Sequence, residues 1–149
     1  MARIEIDLII NRPIDEVFAF VSNAENLPRW KTTALEVNKS FTGPLAVGSI
    51  FKGRFTFLGR PFDGNLEVIM YEPNRRYAIR MIEGPFPLEA YYILDATRIG
   101  TWFTFILEGQ PGGFFRLAEP LVVSLAKRSF EADLHNLKEM LESALVQMA

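Results

Sequence analysis

The chain has 149 residues, 16 Lys and Arg against 18 Asp and Glu, one His and no Cys, for a formal net charge of −2. That length fits one domain, 1–149, with a substantial core, and the interspersed charges exclude a broad electrostatic footprint for nucleic acid. The missing cysteine excludes disulfides, thiolate metal sites and a cysteine nucleophile.

In chain order, Ile4, Ile6 and Leu8 alternate with Glu5, Asp7 and Ile9, which predicts a strand with one apolar face. This opening stretch is too short and too mixed for a signal peptide or a spanning helix, so the expected location is cytoplasmic, with no stable membrane insertion. Pro13 suits a first helical position, with Asp15 and Glu16 in the turn where the helix dipole favours acids. Ile14, Val17, Phe18 and Val21 form its apolar stripe. Ser22-Asn23 ends that helix, and Asn23 can cap a second, shorter one carrying Leu27, Pro28 and Trp30.

From Leu35 the period changes to two. Strands are predicted over Leu35–Phe41, Ser49–Phe57, Phe62–Tyr71, Arg76–Glu83, Leu88–Asp95 and Thr101–Glu108, separated by Gly-, Pro- and Asn-rich turns. Short links between successive strands argue for an antiparallel meander. After Gly112-Gly113 a long helical pattern runs from Phe114 to Gln147, interrupted or restarted at Pro120, with Phe130, Leu134, Leu137, Leu141 and Leu145 as its stripe. The economical assembly is α+β: a curved seven-stranded antiparallel sheet wrapped around one long C-terminal helix, with two short helices between strands 1 and 2.

Several loose motifs occur in a telling order: Arg12-Pro13 before Glu16-Val17-Phe18-Ala19-Phe20-Val21, then Trp30, Val47-Gly48, Tyr71-Glu72-Pro73 and Arg75-Arg76. Gly84-Pro85-Phe86, Gly100-Thr101, and Leu134, Leu137, Lys138 and Leu141 complete the set. In this the chain resembles the START-like helix-grip (SRPBCC) superfamily, and within it the polyketide cyclase/dehydrase group. The resemblance implies a cavity between sheet and long helix, closed in part by the small helix pair, for a small hydrophobic molecule such as a lipid, polyketide or isoprenoid.

Strand parity assigns the walls. Phe51, Gly53, Phe55, Phe57, Leu66, Val68, Tyr77, Ile79, Met81, Leu88, Ala90, Tyr92, Leu94, Phe103, Phe105 and Leu107 share the inner face. Charged residues such as Arg54, Asp63, Glu67, Arg80 and Glu89 take the outer one. Candidate ligand-binding residues are Trp30, Phe51, Phe55, Tyr77, Met81, Ala90, Tyr92, Phe103, Phe105 and Phe130. Gly53 and Ala90 are expected to leave room among the large rings. Trp102, Tyr91 and Ile93 break the outer pattern, which reads either as a homodimer contact or as a bulge shifting the register.

Chemistry is thinly represented. The inner face offers the phenols of Tyr77 and Tyr92 and no carboxylate or histidine, so no acid–base pair emerges. His135 follows Leu134 and points away from the helix stripe. No cofactor is implied, and one His without Cys gives no metal site. Three functions stay open: a hydrophobic-ligand binder, a cyclase or dehydrase using the same cavity, and an interaction subunit whose cavity its own aromatics fill.

Overall fold

The alternating residues pair into one seven-stranded antiparallel sheet in the computed structural model of the chain, which describes residues 2–84, 87–109 and 119–148. Strand β1 (Ala2–Ile10) leads into α1 (Ile14–Val21), a 3-10 turn (Ala24–Asn26) and α2 (Leu27–Trp30). Then come β2 (Ala34–Lys39), β3 (Ile50–Phe57), β4 (Arg60–Glu72), β5 (Arg76–Glu83), β6 (Leu88–Ala96), β7 (Thr101–Gly109) and the long helix α3 (Glu119–Met148). The sheet order is β1-β7-β6-β5-β4-β3-β2, a meander whose last strand returns to the first. This is the helix-grip architecture expected from the sequence. Pro85, Phe86, Gly112-Gly113 and the predicted helix start at Phe114 lie outside the described residues, as does the side chain of Leu145. Pro120 falls in the first turn of α3, where a missing N–H costs nothing.

Local chemistry explains the helix pair. Asp15 and Glu16 occupy the first turn of α1, and the Asn23 side chain accepts a hydrogen bond from the Glu25 N–H at 3.1 Å to start the 3-10 turn. Pro28 then opens α2, which ends at once. The inner faces of α1 and α2 bury Val17, Phe18, Val21, Leu27 and Trp30.

Parity assigns the inner face correctly along β3 and β5 to β7, whereas irregularities shift the register in β2, between Ala34 and Glu36, and in β4, between Val68 and Met70. Phe51, Phe55, Leu66, Val68, Tyr77, Ile79, Tyr92, Leu94, Phe103 and Phe105 are buried with Leu134, Leu137 and Leu141 of α3 in one core. On the outer face Glu67 stands opposite Arg80 and pairs with it at 2.7 Å. The register between β6 and β7 is unbroken, so Trp102 and Tyr91 are outer-face residues and not products of a bulge there. Each is tied to a carboxylate: Trp102 Nε1 donates to Asp7 at 3.1 Å, and the Tyr91 hydroxyl donates to Glu89 at 2.6 Å.

Two sets of polar contacts fix the helices against the sheet. Lys138 Nζ donates at 2.6 Å to the Ile9 carbonyl and to Glu142, which accepts from the Asn11 N–H at 2.8 Å, so α3 is locked to the end of β1. At the entry to α1 the Thr101 hydroxyl donates to the Arg12 carbonyl at 2.9 Å. A side chain on neighbouring Gly100 would collide with the Ile10 carbonyl oxygen, so only glycine lets the β6–β7 turn approach this closely. No helix among the described residues is long and apolar enough to cross a membrane.

Candidate functional site

Between the inner sheet face and the first half of α3 lies a pocket of about 340 Å³. Strands β3 and β4 supply Phe55, Phe57, Phe62 and Leu66; β5 supplies Ile79 and Met81; β6 and β7 supply Leu88, Ala90, Tyr92 and Leu107. Val122, Val123, Leu125, Ala126, Ser129 and Phe130 of α3 form the opposite wall. Leu27 of α2, and Lys31 and Thr33 from the segment after it, also border the pocket. Almost all of the lining is apolar, and Lys31 is its one charged residue among the described residues.

The ten sequence candidates divide evenly. Phe55, Met81, Ala90, Tyr92 and Phe130 line the pocket. Trp30, Phe51, Tyr77, Phe103 and Phe105 are buried in the core beside it. Tyr92 is the hub of the aromatic contacts there, with ring centroids 5.6 Å from Tyr77, 5.7 Å from Phe103, 5.6 Å from Phe105 and 6.3 Å from Trp30. Phe51 is held by Phe41 in an edge-on contact at 5.3 Å. Gly53 does not leave open space: a Cβ there would meet the Phe55 ring at 2.6 Å, because that ring folds over the glycine. Ala90 does face the pocket. His135 is exposed, as its helical phase predicts.

The most informative residue was not among the candidates. Lys31 follows the last residue of α2 and is half-buried, its ammonium 4.1 Å from the Phe130 ring centroid and 4.5 Å from that of Phe105. Trp30 presents a third ring at 5.4 Å. Burial pulls the Lys31 pKa from 10.5 down to about 8, with the charge of Asp133 opposing that fall. Among the described residues Lys31 makes no ion pair and donates no hydrogen bond.

Asp133 is fully buried on α3, one turn beyond Phe130. Its Oδ1 accepts from both the N–H and the hydroxyl of Thr32, each at 3.2 Å, which ties the segment after α2 to the long helix. Its Oδ2 is buried without a hydrogen-bond partner among the described residues. Desolvation raises the Asp133 pKa, while the Thr32 bonds and Lys31 act the other way. Burial likewise raises the phenols of Tyr77 and Tyr92 above the ordinary range, so both stay protonated at neutral pH. The Tyr77 hydroxyl is an orphan, buried with no acceptor among the described residues.

A sheet gripping one long helix, with a small helix pair beside an apolar pocket, defines a START-like helix-grip protein. The family described as "Polyketide cyclase / dehydrase and lipid transport" matches residues 1–142, and the chain belongs to it. Solved structures share the fold at low identity. A protein of Thermus thermophilus, TTHA0849, is 17% identical with a TM-score of 0.80, over 96% of this chain and 99% of that one. The Zhui aromatase/cyclase from a Streptomyces species is 13% identical with a TM-score of 0.78, over 97% and 95%. The di-domain ARO/CYC StfQ from the steffimycin biosynthetic pathway is 12% identical with a TM-score of 0.76, over 96% of this chain and 51% of that one. No curated protein sequence matches.

Proposed function

We propose that the protein binds a small, largely apolar molecule in the pocket between its sheet and α3. The observation that carries this reading is the pocket's composition: nearly all of its wall is apolar, with one ammonium and a few hydroxyls placed to orient a ligand. The family's description, which includes lipid transport, supports it. The test is binding of the neutral fluorescent probe N-phenyl-1-naphthylamine by the parent and by Ala90→Phe. Ala90 borders the pocket, so a phenyl ring there is expected to take ligand space. The expected result is probe binding by the parent, a loss of about tenfold or more in the variant, and unchanged thermal stability. A parent that binds no apolar probe, or a destabilised variant that binds it as the parent does, overturns the reading.

Cyclisation or dehydration of a bound polyketide is the second reading. The family's description names that chemistry, and Lys31 and the Tyr92 phenol are two groups at the pocket wall able to move a proton. A linear poly-β-ketone analogue separates the two: a binder returns it unchanged, whereas an enzyme returns a cyclised or dehydrated product and loses that turnover in Tyr92→Phe.

A further inference from the structure

The pocket is not uniformly apolar, and its single exception is an unusual one. An ammonium carries three N–H donors and prefers water or a carboxylate to hydrocarbon. Lys31 nevertheless faces the apolar pocket with ring faces of Phe105 and Phe130 against it, and none of its donors has an acceptor among the described residues. The nearest counter-charge, Asp133, acts on it only through space; both hydrogen bonds that Asp133 accepts come from Thr32. The cation is therefore held against ring faces at the pocket wall, with no hydrogen-bond acceptor of its own among the described residues. We propose that Lys31 selects apolar acids: ligands with a hydrocarbon body ending in a carboxylate, whose anionic end pairs with the Lys31 ammonium while the body fills the pocket.

This rests on the pocket being a ligand site, and it adds what that ligand must carry. A charge-assisted N–H···O⁻ contact in a low-dielectric wall is far stronger than the same contact in water, and an alcohol of equal length cannot make it. The groups facing Lys31 leave the pairing open. Asp133 of α3 acts on it and is already bonded to Thr32; Tyr92 of β6, elsewhere on the pocket wall, keeps its proton; no carboxylate lines the pocket among the described residues. Because the free ammonium titrates near pH 8, binding an acid above that pH requires Lys31 to take up a proton. Acid affinity therefore falls as pH rises, whereas alcohol affinity does not.

The experiment displaces N-phenyl-1-naphthylamine with decanoic acid or 1-decanol, using the parent and Lys31→Met. At about pH 7 the parent is expected to bind the acid at least about tenfold more tightly than the alcohol. Lys31→Met is expected to lose that preference, displacing the probe with acid and alcohol at concentrations within about twofold of each other. Between about pH 7 and about pH 9.5 the parent's acid affinity should drop by about tenfold or more, as the charged fraction of Lys31 falls. Should Lys31→Met fail to fold, the parent's pH series alone decides. Probe binding with acid and alcohol equal, or an acid preference that survives in Lys31→Met or at the alkaline end of the series, overturns the proposal and leaves the pocket reading standing. A parent that binds neither probe, acid nor alcohol overturns both.

Discussion

Replacing Lys31 by methionine should make the free protein more stable at neutral pH. A shift in the ammonium's pKa from 10.5 to about 8 corresponds to about 3 kcal/mol of preference for the neutral amine in the folded chain. The half-buried side chain keeps some contact with water, and the ring faces of Phe105 and Phe130 return part of the penalty. A net gain of roughly 1–2 kcal/mol is left for a methionine that fills the same space, or roughly 2–8 °C in Tm for a protein of this size. The sign depends on pH in a defined way. Below pH 8 Lys31 is protonated in both folded and unfolded chains, so the penalty is present in full. Between pH 8 and pH 10.5 the unfolded chain still holds the proton that the folded one has released, and the penalty fades. Urea unfolding of both proteins at about pH 7, 8.5 and 10 measures this directly. A variant less stable than the parent at neutral pH, or a gap as wide at the alkaline end as at neutral pH, would refute the argument.

Other positions give shorter tests. Phe55→Asp places a charge in the aromatic core and should cost several kcal/mol in urea unfolding, on the order of a buried unpaired group, whereas exposed Lys52→Asp should change little. Asp133→Ala removes the acceptor that holds Thr32 and should lower stability by roughly 1–3 kcal/mol; Asp133→Asn keeps an oxygen there without the buried charge and should melt at or above the parent at neutral pH. Gly100→Ala drives a Cβ into the Ile10 carbonyl and should cost about 2 kcal/mol or more by thermal denaturation. Glu67→Gln and His135→Ala touch an outer-face ion pair and an exposed helix position, so each should leave probe affinity within about twofold.

The sheet was legible because its two faces differ so sharply in chemistry: Phe103 and Phe105 on one side of β7, Thr104 and the Asp7-bonded Trp102 on the other. The pocket was legible only in part. Parity says which side chains point inward, but it does not separate a wall from the core behind it, so Phe51 and Tyr77 rank equally with Phe55 and Ala90. Gly53 misleads for a related reason, since the Phe55 ring two residues away fills the space. Lys31 is invisible to any rule that reads lysines as solvated, because the rings packed on its ammonium, Phe105 and Phe130, are distant in sequence. A signal for Asp133 was nonetheless present. It completes the helical spacing of Phe130, Leu134, Leu137 and Leu141, and an acid on an apolar stripe marks a buried polar contact.

The pairing of β1 with β7 also sets an order of assembly. Ile4 meets Leu107 and Ile10 meets Thr101, so β1 leaves the ribosome long before its partner strand has emerged. Until then the hairpins from β2 to β6 are the part of the sheet that can form locally, and β1 carries an apolar face with nothing to cover it. Helix α3 follows all seven strands, brings Phe130 and Asp133, and closes over Lys31. The lysine therefore spends most of synthesis as an ordinary hydrated cation, and gives up part of its water only when that helix docks.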